Sequence, residues 1–337
     1  MTLPRLFLIG VPARVGGAAT KIRHLLPLLR AAFHITLVFL ERCWFREPDV
    51  MGFIKSLGMQ AIFITDVPAS PGAVALVICE PKIFVSGAIR KLKAKGLRVV
   101  FSNEMMFPFE GEAEAAKEGL IDKALFVSDF QRRAFSRIYE GVSQAITGNF
   151  IDPGEFPFKP RRNPVFTIGR LSRPDAEKFP HDFPVFYEEL GLKSVRYRVM
   201  AWDGSLDKAF CWHRFGPEWD LIPARKETAA AFLHSLDLFV YPIGHRVQES
   251  WGRSTVESML TGAVPVVPSG HQFHNLMVHG ESGFICETFQ DFQGAVMRLH
   301  DDYAHRSRMA RIAAEHAREN LCNPRTHREI WERALLA

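Results

Sequence analysis

The sequence predicts an α/β protein built from two doubly wound, Rossmann-like domains in tandem. Three observations predict it. Short apolar runs of strand length alternate with longer stretches of helical periodicity, the pattern of a parallel sheet with crossover helices. A cluster of turn residues at 149–164 interrupts the alternation, which then restarts. The 337 residues suffice for two domains of about 150 each.

The first half opens with a strand at Leu6–Ile9, a glycine-rich turn at Val15–Ala18 and a helix over Thr20–Phe33. Strands follow at Ile35–Phe39, Ala61–Ile64, Val74–Ile78, Val99–Ser102 and Leu125–Val127. Ser128 is placed to cap a helix over Asp129–Tyr139. The break holds Asp152-Pro153-Gly154, Phe156-Pro157 and Lys159-Pro160-Arg161-Arg162. Beyond it come strands at Val165–Ile168, Tyr197–Ala201, Leu238–Tyr241 and Val264–Val267. Helices are predicted over Asp182–Glu189, Glu227–His234 and Ser254–Thr261, and mostly helical chain over Asp291–Asn320. No repeat with a period of 20–50 residues is present. The boundaries read 1–155 for the first domain and 156–322 for the second. Residues 323–337, with Ile330, Trp331, Leu335 and Leu336 at near-helical spacing, form a last helix expected to return to the first domain.

Composition narrows the class. The chain is 47% hydrophobic and 23% charged, which excludes disordered, collagenous and disulfide-scaffold proteins. Its longest apolar runs fall short of the ~18 residues of a membrane span. Met1 leads straight into a strand without a basic leader, so a cytoplasmic protein is expected. Cys43, Cys79, Cys211, Cys286 and Cys322 are scattered and form no C-x-x-C pair; they read as buried thiols. Residues 1–150 carry 19 Lys+Arg against 13 Asp+Glu, a balance of +6, while residues 151–337 carry 23 against 24, a balance of −1. The basic excess in the first half fits either a solvated face or an anionic partner.

The sharpest motif is Glu249-Ser-Trp-Gly-Arg-Ser-Thr-Val-Glu257, which follows one strand and opens a helix. In a doubly wound sheet that is the ligand-binding edge. Amides at the start of such a helix would be positively polarised and suited to an anion. Around it stand Asp237-Leu-Phe-Val-Tyr-Pro242, Thr261-Gly-Ala-Val-Pro-Val-Val267, Val278-His-Gly-Glu-Ser-Gly-Phe284 and Glu287-Thr-Phe-Gln-Asp-Phe292. Together these resemble the C-terminal half of family 4 retaining glycosyltransferases, which have the GT-B fold and an E-x7-E signature. Thr167-Ile-Gly169-Arg170 with Lys178 resembles the family's phosphate-binding G-R…K element, and Gly148-Asn149-Phe-Ile-Asp152…Phe156 its interdomain segment. The likeness covers nearly all of 125–300; over 1–124 mainly the Gly16-Gly17 loop matches.

The resemblance implies two Rossmann-like domains facing across a cleft, with a nucleotide sugar as donor substrate. Arg170 and Lys178 would hold the donor diphosphate and stabilise its departing charge, with Glu249 binding sugar hydroxyls. Ser250 and the amides of Trp251, Gly252 and Arg253 would assist. Glu257 would take the ribose hydroxyls, and Gly16 and Gly17 would let the first loop approach the diphosphate or acceptor. The Arg170–Lys178 spacing is longer than usual in the family, so Arg173 can share the phosphate role. Many relatives place a histidine after an N-domain strand; here Phe101-Ser-Asn103-Glu104-Met-Met106 has none, leaving Asn103 and Glu104 as acceptor-side candidates. Each role has its own physical sense: preorganised cations suit a leaving diphosphate, Arg as a planar fork and Lys as a mobile point charge.

No D-x-D occurs, and the adjacent acids Asp301-Asp302 lie in a late helix. His271 and His274 read as loop residues ahead of metal ligands. The expected transferase needs no metal and no cofactor. Gly16-Gly17 lacks the third glycine of a dinucleotide fingerprint.

The acceptor stays open: a glycan or metabolite hydroxyl, DNA carrying a hydroxymethylated pyrimidine, or an acceptor at an anionic membrane met by the basic helix Thr20–Phe33. An inactive nucleotide-sugar-binding module and an epimerase of the same fold complete the alternatives.

Overall fold

The computed structural model describes every residue except Met1, Thr2, Arg162 and Ala337. The turn cluster 159–162 and the last segment 324–337 thus each end at a residue outside the described set, and the N-terminal reading begins at one. The chain divides into two units, Met1–Ile151 with Pro324–Ala337, and Asp152–Asn323.

The first unit holds strands β1 (Arg5–Ile9), β2 (His34–Phe39), β3 (Gln60–Phe63), β4 (Val74–Ile78), β5 (Arg98–Ser102), β6 (Lys123–Phe126) and β7 (Ser143–Ile146). They form a parallel sheet in the order β3-β2-β1-β4-β5-β6-β7. The central strands are continuous apolar runs because helices cover both faces. Leu8 of β1 lies in register with Leu37 on one side and Leu76 on the other, and all three are fully buried. The order in which strands are added reverses between β1 and β4, which makes the C-terminal ends of these parallel strands the switch point where such sheets bind ligands.

The helix Gly17–Leu29 buries Ile22, Leu25, Leu26 and Leu29 in the same cluster as Leu6, Leu76 and Trp331. Its apolar face is therefore committed to the sheet, and the helix offers no such face to a membrane. The helix Pro324–Leu336 packs against it. Lys123 Nζ donates to the Ala334 carbonyl at 3.0 Å, and Arg98 donates to the carbonyl of Leu335.

The second unit holds β8 (Phe166–Leu171), β9 (Val195–Trp202), β10 (Trp219–Pro223), β11 (Leu238–Val240), β12 (Val264–Pro268) and β13 (Phe284–Cys286). Their order is β10-β9-β8-β11-β12-β13, all parallel, with the switch point between β8 and β11.

Three strands went unpredicted: β7, β10 and β13. Each is the outermost strand at one edge of its sheet. Edge strands are short and need no continuous apolar run, so little hydrophobic signal marks them. Short helices at Pro48–Ser56, Ala88–Ala94 and Glu112–Lys117 were likewise unassigned, although Pro48 at a helix start followed by Asp49 is a readable signal. The stretch Asp291–Asn320 divides into helices Phe289–Asp301 and Tyr303–His316, since Asp302 caps the second by accepting from the His305 amide at 2.8 Å. Ser128 caps its helix as expected, accepting from the Gln131 amide at 3.1 Å. The cysteines are not uniformly buried: Cys286 and Cys322 are, Cys79 is half-buried, and Cys43 and Cys211 are exposed. Among the described residues no helix is long and apolar enough to cross a membrane.

Candidate functional site

The site on the second unit begins at the C-terminal end of β8. Gly169 is required there, because a Cβ would meet the Arg198 carbonyl oxygen of β9 at 2.1 Å. The next side chain, Arg170, is fully buried. Its guanidinium stacks on Phe179 at 3.8 Å and Tyr241 at 4.5 Å. It donates to the carbonyls of Pro242 at 2.7 Å and Lys178 at 3.1 Å, and to Ser172 Oγ at 3.3 Å. Burial is the main influence on it and lowers its pKa. Arg170 therefore clamps the backbone of two loops together, which is a different task from presenting a free fork to a phosphate. The exposed cation of this element is Arg173, close enough to Lys178 to repel its charge.

Lys178 ends a short turn, Ala176–Lys178, whose first residues are capped by the Asp175 carboxylate. Its ammonium lies 2.7 Å from Glu249 Oε1. Tyr241, just past β11, donates its hydroxyl to the same oxygen at 2.9 Å. Both members of the ion pair are only about one-seventh exposed at the side chain, 15% and 13%. Burial alone would push the Lys178 pKa down, but Tyr241 and Glu249 outweigh it and hold it above the ordinary value. Burial would likewise raise Glu249, yet Lys178 and the hydrogen bonds from Lys178 and Tyr241 hold the carboxyl below its ordinary value. The pair is thus ionised at neutral pH. Gly244 lets the two loops touch, since a Cβ there would meet the carbonyls of Glu177 at 2.1 Å and Phe179 at 2.7 Å.

Past Glu249 the chain enters the helix Arg253–Thr261 through Gly252, whose φ of +93° only glycine adopts readily. Trp251 is buried and Ser250 half-buried. Glu257 does not stand open: Arg253, one turn before it, pairs with it at 2.8 Å. Burial raises the Glu257 pKa, and Arg253 opposes the rise. His271 serves the loop, as expected, by accepting the Glu249 amide at Nδ1 (3.4 Å). Among the described residues no group of three or more His, Cys, Asp or Glu is arranged to hold a metal ion.

In the first unit, Gly16 is the N-cap of the helix Gly17–Leu29 with φ +100°, and a Cβ at Gly16 or Gly17 would enter open space. Asn103 and Glu104 follow β5, and the structure turns both inward. Glu104, at φ +71°, accepts from Lys21 Nζ at 2.6 Å. Lys21 is fully buried and also reaches the Gly148 carbonyl at 3.4 Å, so it is not part of a basic surface. Asn103 organises its own loop, donating to Glu112 at 2.6 Å and accepting from the Met105 amide at 2.8 Å.

The structure thus joins Arg170, Lys178 and Glu249, and ties Glu257 to Arg253. Sequence reasoning missed Tyr241, Lys21 and Glu112. In sequence Tyr241 is only the end of a strand and Lys21 only a basic residue of the helix Thr20–Phe33, because pattern alone does not reveal which polar groups a fold buries.

No family model and no curated protein matches the chain. Solved structures do. HepE from Anabaena in complex with UDP and glucose is 14% identical, with 98% of this chain and 99% of that one covered at a TM-score of 0.76. TarM, known from S. aureus, is 10% identical over 100% and 99% at 0.81. Sucrose-phosphate synthase from Thermosynechococcus elongatus is 11% identical over 98% and 98% at 0.71. At these identities the likeness is one of fold: two parallel-sheet Rossmann-like domains, as in GT-B glycosyltransferases.

Proposed function

We propose that this chain is a retaining, metal-independent glycosyltransferase of the family 4 type. It moves a sugar from a nucleoside-diphosphate donor to a hydroxyl of a glycan or metabolite in the cytoplasm. The observation that carries the reading is the pair Lys178–Glu249, set just past β8 and β11 on either side of the switch point. A mobile cation beside a carboxylate at that edge suits a ligand with both phosphate and hydroxyl groups. The co-occurrence of UDP and glucose in the similarly folded HepE supports it.

In the reaction, the bond from the sugar's anomeric carbon to the diphosphate oxygen breaks. A bond to the acceptor oxygen forms on the same face. The acceptor proton passes to a departing phosphate oxygen, so no protein nucleophile is needed. Lys178 and the exposed Arg173 stabilise the charge that collects on the diphosphate. Arg170 acts from behind, holding the carbonyls that position Lys178 and the approach to Glu249. Glu249 binds sugar hydroxyls, with Ser250 and the amides of Trp251, Gly252 and Arg253 beside it. Glu257 takes the ribose hydroxyls, and in the first unit Gly16 and Gly17 keep the loop after β1 open for the acceptor.

Several first-half cations have acidic partners: Lys93 with Asp122, Arg90 with Glu118, Arg132 and Arg133 with Asp129. These pairings support a glycan or metabolite over DNA as the proposed acceptor. The deciding assay measures free nucleoside diphosphate released from a panel of nucleotide sugars, with and without DNA containing 5-hydroxymethylcytosine. Release from one donor regardless of DNA supports the proposal. Release that depends on the modified DNA reassigns the acceptor. No release from any donor, with binding retained, points to an inactive nucleotide-sugar-binding module.

A further inference from the structure

Glu249 and Lys178 satisfy one another before any ligand arrives. Lys178 Nζ and the Tyr241 hydroxyl both contact Glu249 Oε1, at 2.7 and 2.9 Å, in a site nearly closed to solvent. A diphosphate entering this site competes with Glu249 for the same ammonium. If it takes the ammonium, a buried carboxylate loses its counter-charge beside a new anion, and an uncompensated buried charge is strongly unfavourable. Only a ligand that brings hydroxyl donors restores Glu249.

From this geometry, and resting on the donor-site reading above, we infer that the Lys178–Glu249 pair is a specificity device that makes diphosphate binding conditional on the attached sugar. Lys178 exchanges Glu249 for the phosphate, and the sugar hydroxyls replace Lys178 on Glu249. Tyr241 is the positioning residue that holds the carboxylate in place during the exchange. A free nucleoside diphosphate supplies the first half of the exchange and not the second, so the site penalises the product relative to the donor. Arg170 takes no part in the exchange, because its Nη atoms are bound to backbone carbonyls and Ser172.

The test is calorimetric titration of the full chain with matched pairs: UDP and UDP-glucose, GDP and GDP-mannose, ADP and ADP-glucose. The pair that binds the wild type is then titrated into Glu249→Gln, Tyr241→Phe and Lys178→Ala. Glu249→Gln keeps the shape of the side chain and removes the competing charge. Its affinity for the free diphosphate should rise about tenfold, the order expected when a buried competing charge is removed. Its affinity for the nucleotide sugar should not rise, because hydroxyl contacts are weakened at the same time. Tyr241→Phe should shift the ratio of the two affinities in the opposite direction by a smaller factor, because Glu249 then has no tyrosine donor when Lys178 leaves it, and Lys178→Ala should weaken both ligands. Wild-type binding together with an unchanged or lower diphosphate affinity in Glu249→Gln would overturn the exchange and leave the donor-site reading standing. If Glu249→Gln fails to fold by its melting profile, the ratio in Tyr241→Phe decides, and an unchanged ratio there overturns the inference. Failure of the wild type to bind any pair would remove the donor site itself.

Discussion

Lys21 and Glu104, 83 residues apart in the chain, meet as a buried ion pair at 2.6 Å. Lys21 also reaches the Gly148 carbonyl, and its ammonium lies 5.2 Å from the centre of the Trp331 ring. One cation thus ties the first helix to the loops after β5 and β7 and to the C-terminal helix. Removing one partner of such a pair leaves the other charged and enclosed. Lys21→Met should lower unfolding free energy by about 3–5 kcal/mol in urea denaturation. Lys21→Met with Glu104→Leu should recover part of that loss; a double variant as unstable as the sum of the singles would show that the two do not act as a pair.

Arg170 is predicted to act through the backbone it holds. Arg170→Met strands the Pro242 carbonyl, at about 1–3 kcal/mol for a buried acceptor left unpaired, and leaves the Lys178 carbonyl with the Gly244 amide as its donor. Arg170→Lys keeps the charge and loses the fork, so it should destabilise almost as much and weaken nucleoside diphosphate binding to a similar degree. Rescue by Lys would instead mark Arg170 as a simple phosphate charge.

Gly244→Ala should part the loops of Lys178 and Glu249, since its Cβ would fall 2.1 Å from the Glu177 carbonyl oxygen. Overpacking of this kind costs about 1–3 kcal/mol. Donor affinity should fall together with melting temperature, and normal values for both would show that the loops accommodate a methyl group.

Glu112 gives a pH prediction. It accepts from Tyr139, Asn103 and the Phe109 amide, yet burial is the dominant influence and raises its pKa above the ordinary 4.5. The folded state therefore keeps the proton longer than the unfolded state does. Stability falls as pH rises from about 4.5 through the raised value. Glu112→Gln cannot ionise. Denaturation at several pH values should show the wild type losing ground to Glu112→Gln on going from acid to neutral pH; a constant difference would contradict the raised pKa.

Deleting the chain from Pro324 removes Trp331, which is fully buried, and the carbonyls that accept from Lys123 and Arg98. Trp331→Ala alone should cost about 3–5 kcal/mol. Calorimetry should show a lowered melting transition in both proteins, and unchanged melting would place this helix outside the core of the first unit.

The strands that were legible beforehand are largely those in the sheet interiors, β1, β4 and β8 among them, because a strand covered on both faces must be apolar along its length. The edge strands β7, β10 and β13 carry no such requirement and left no clear trace. The positions of Arg170, Lys178 and Glu249 at strand ends were also readable, since the alternation of strand and helix locates the ligand edge of a doubly wound sheet.

What pattern could not tell is which polar groups would be enclosed and by whom. Arg170 and Lys178 read alike as cations after a strand; folding buries the first against Phe179 and Tyr241 and leaves the second to pair with Glu249. Lys21 is in sequence one more basic residue of the first helix; folding buries it against Glu104 and the Trp331 ring of the C-terminal helix. Periodicity is a local property that each segment carries alone, and it suffices for the α/β class and the ligand edges. Burial and ion pairing join residues 71 and 83 positions apart in the chain, so they are decided only when the tertiary structure brings those segments together.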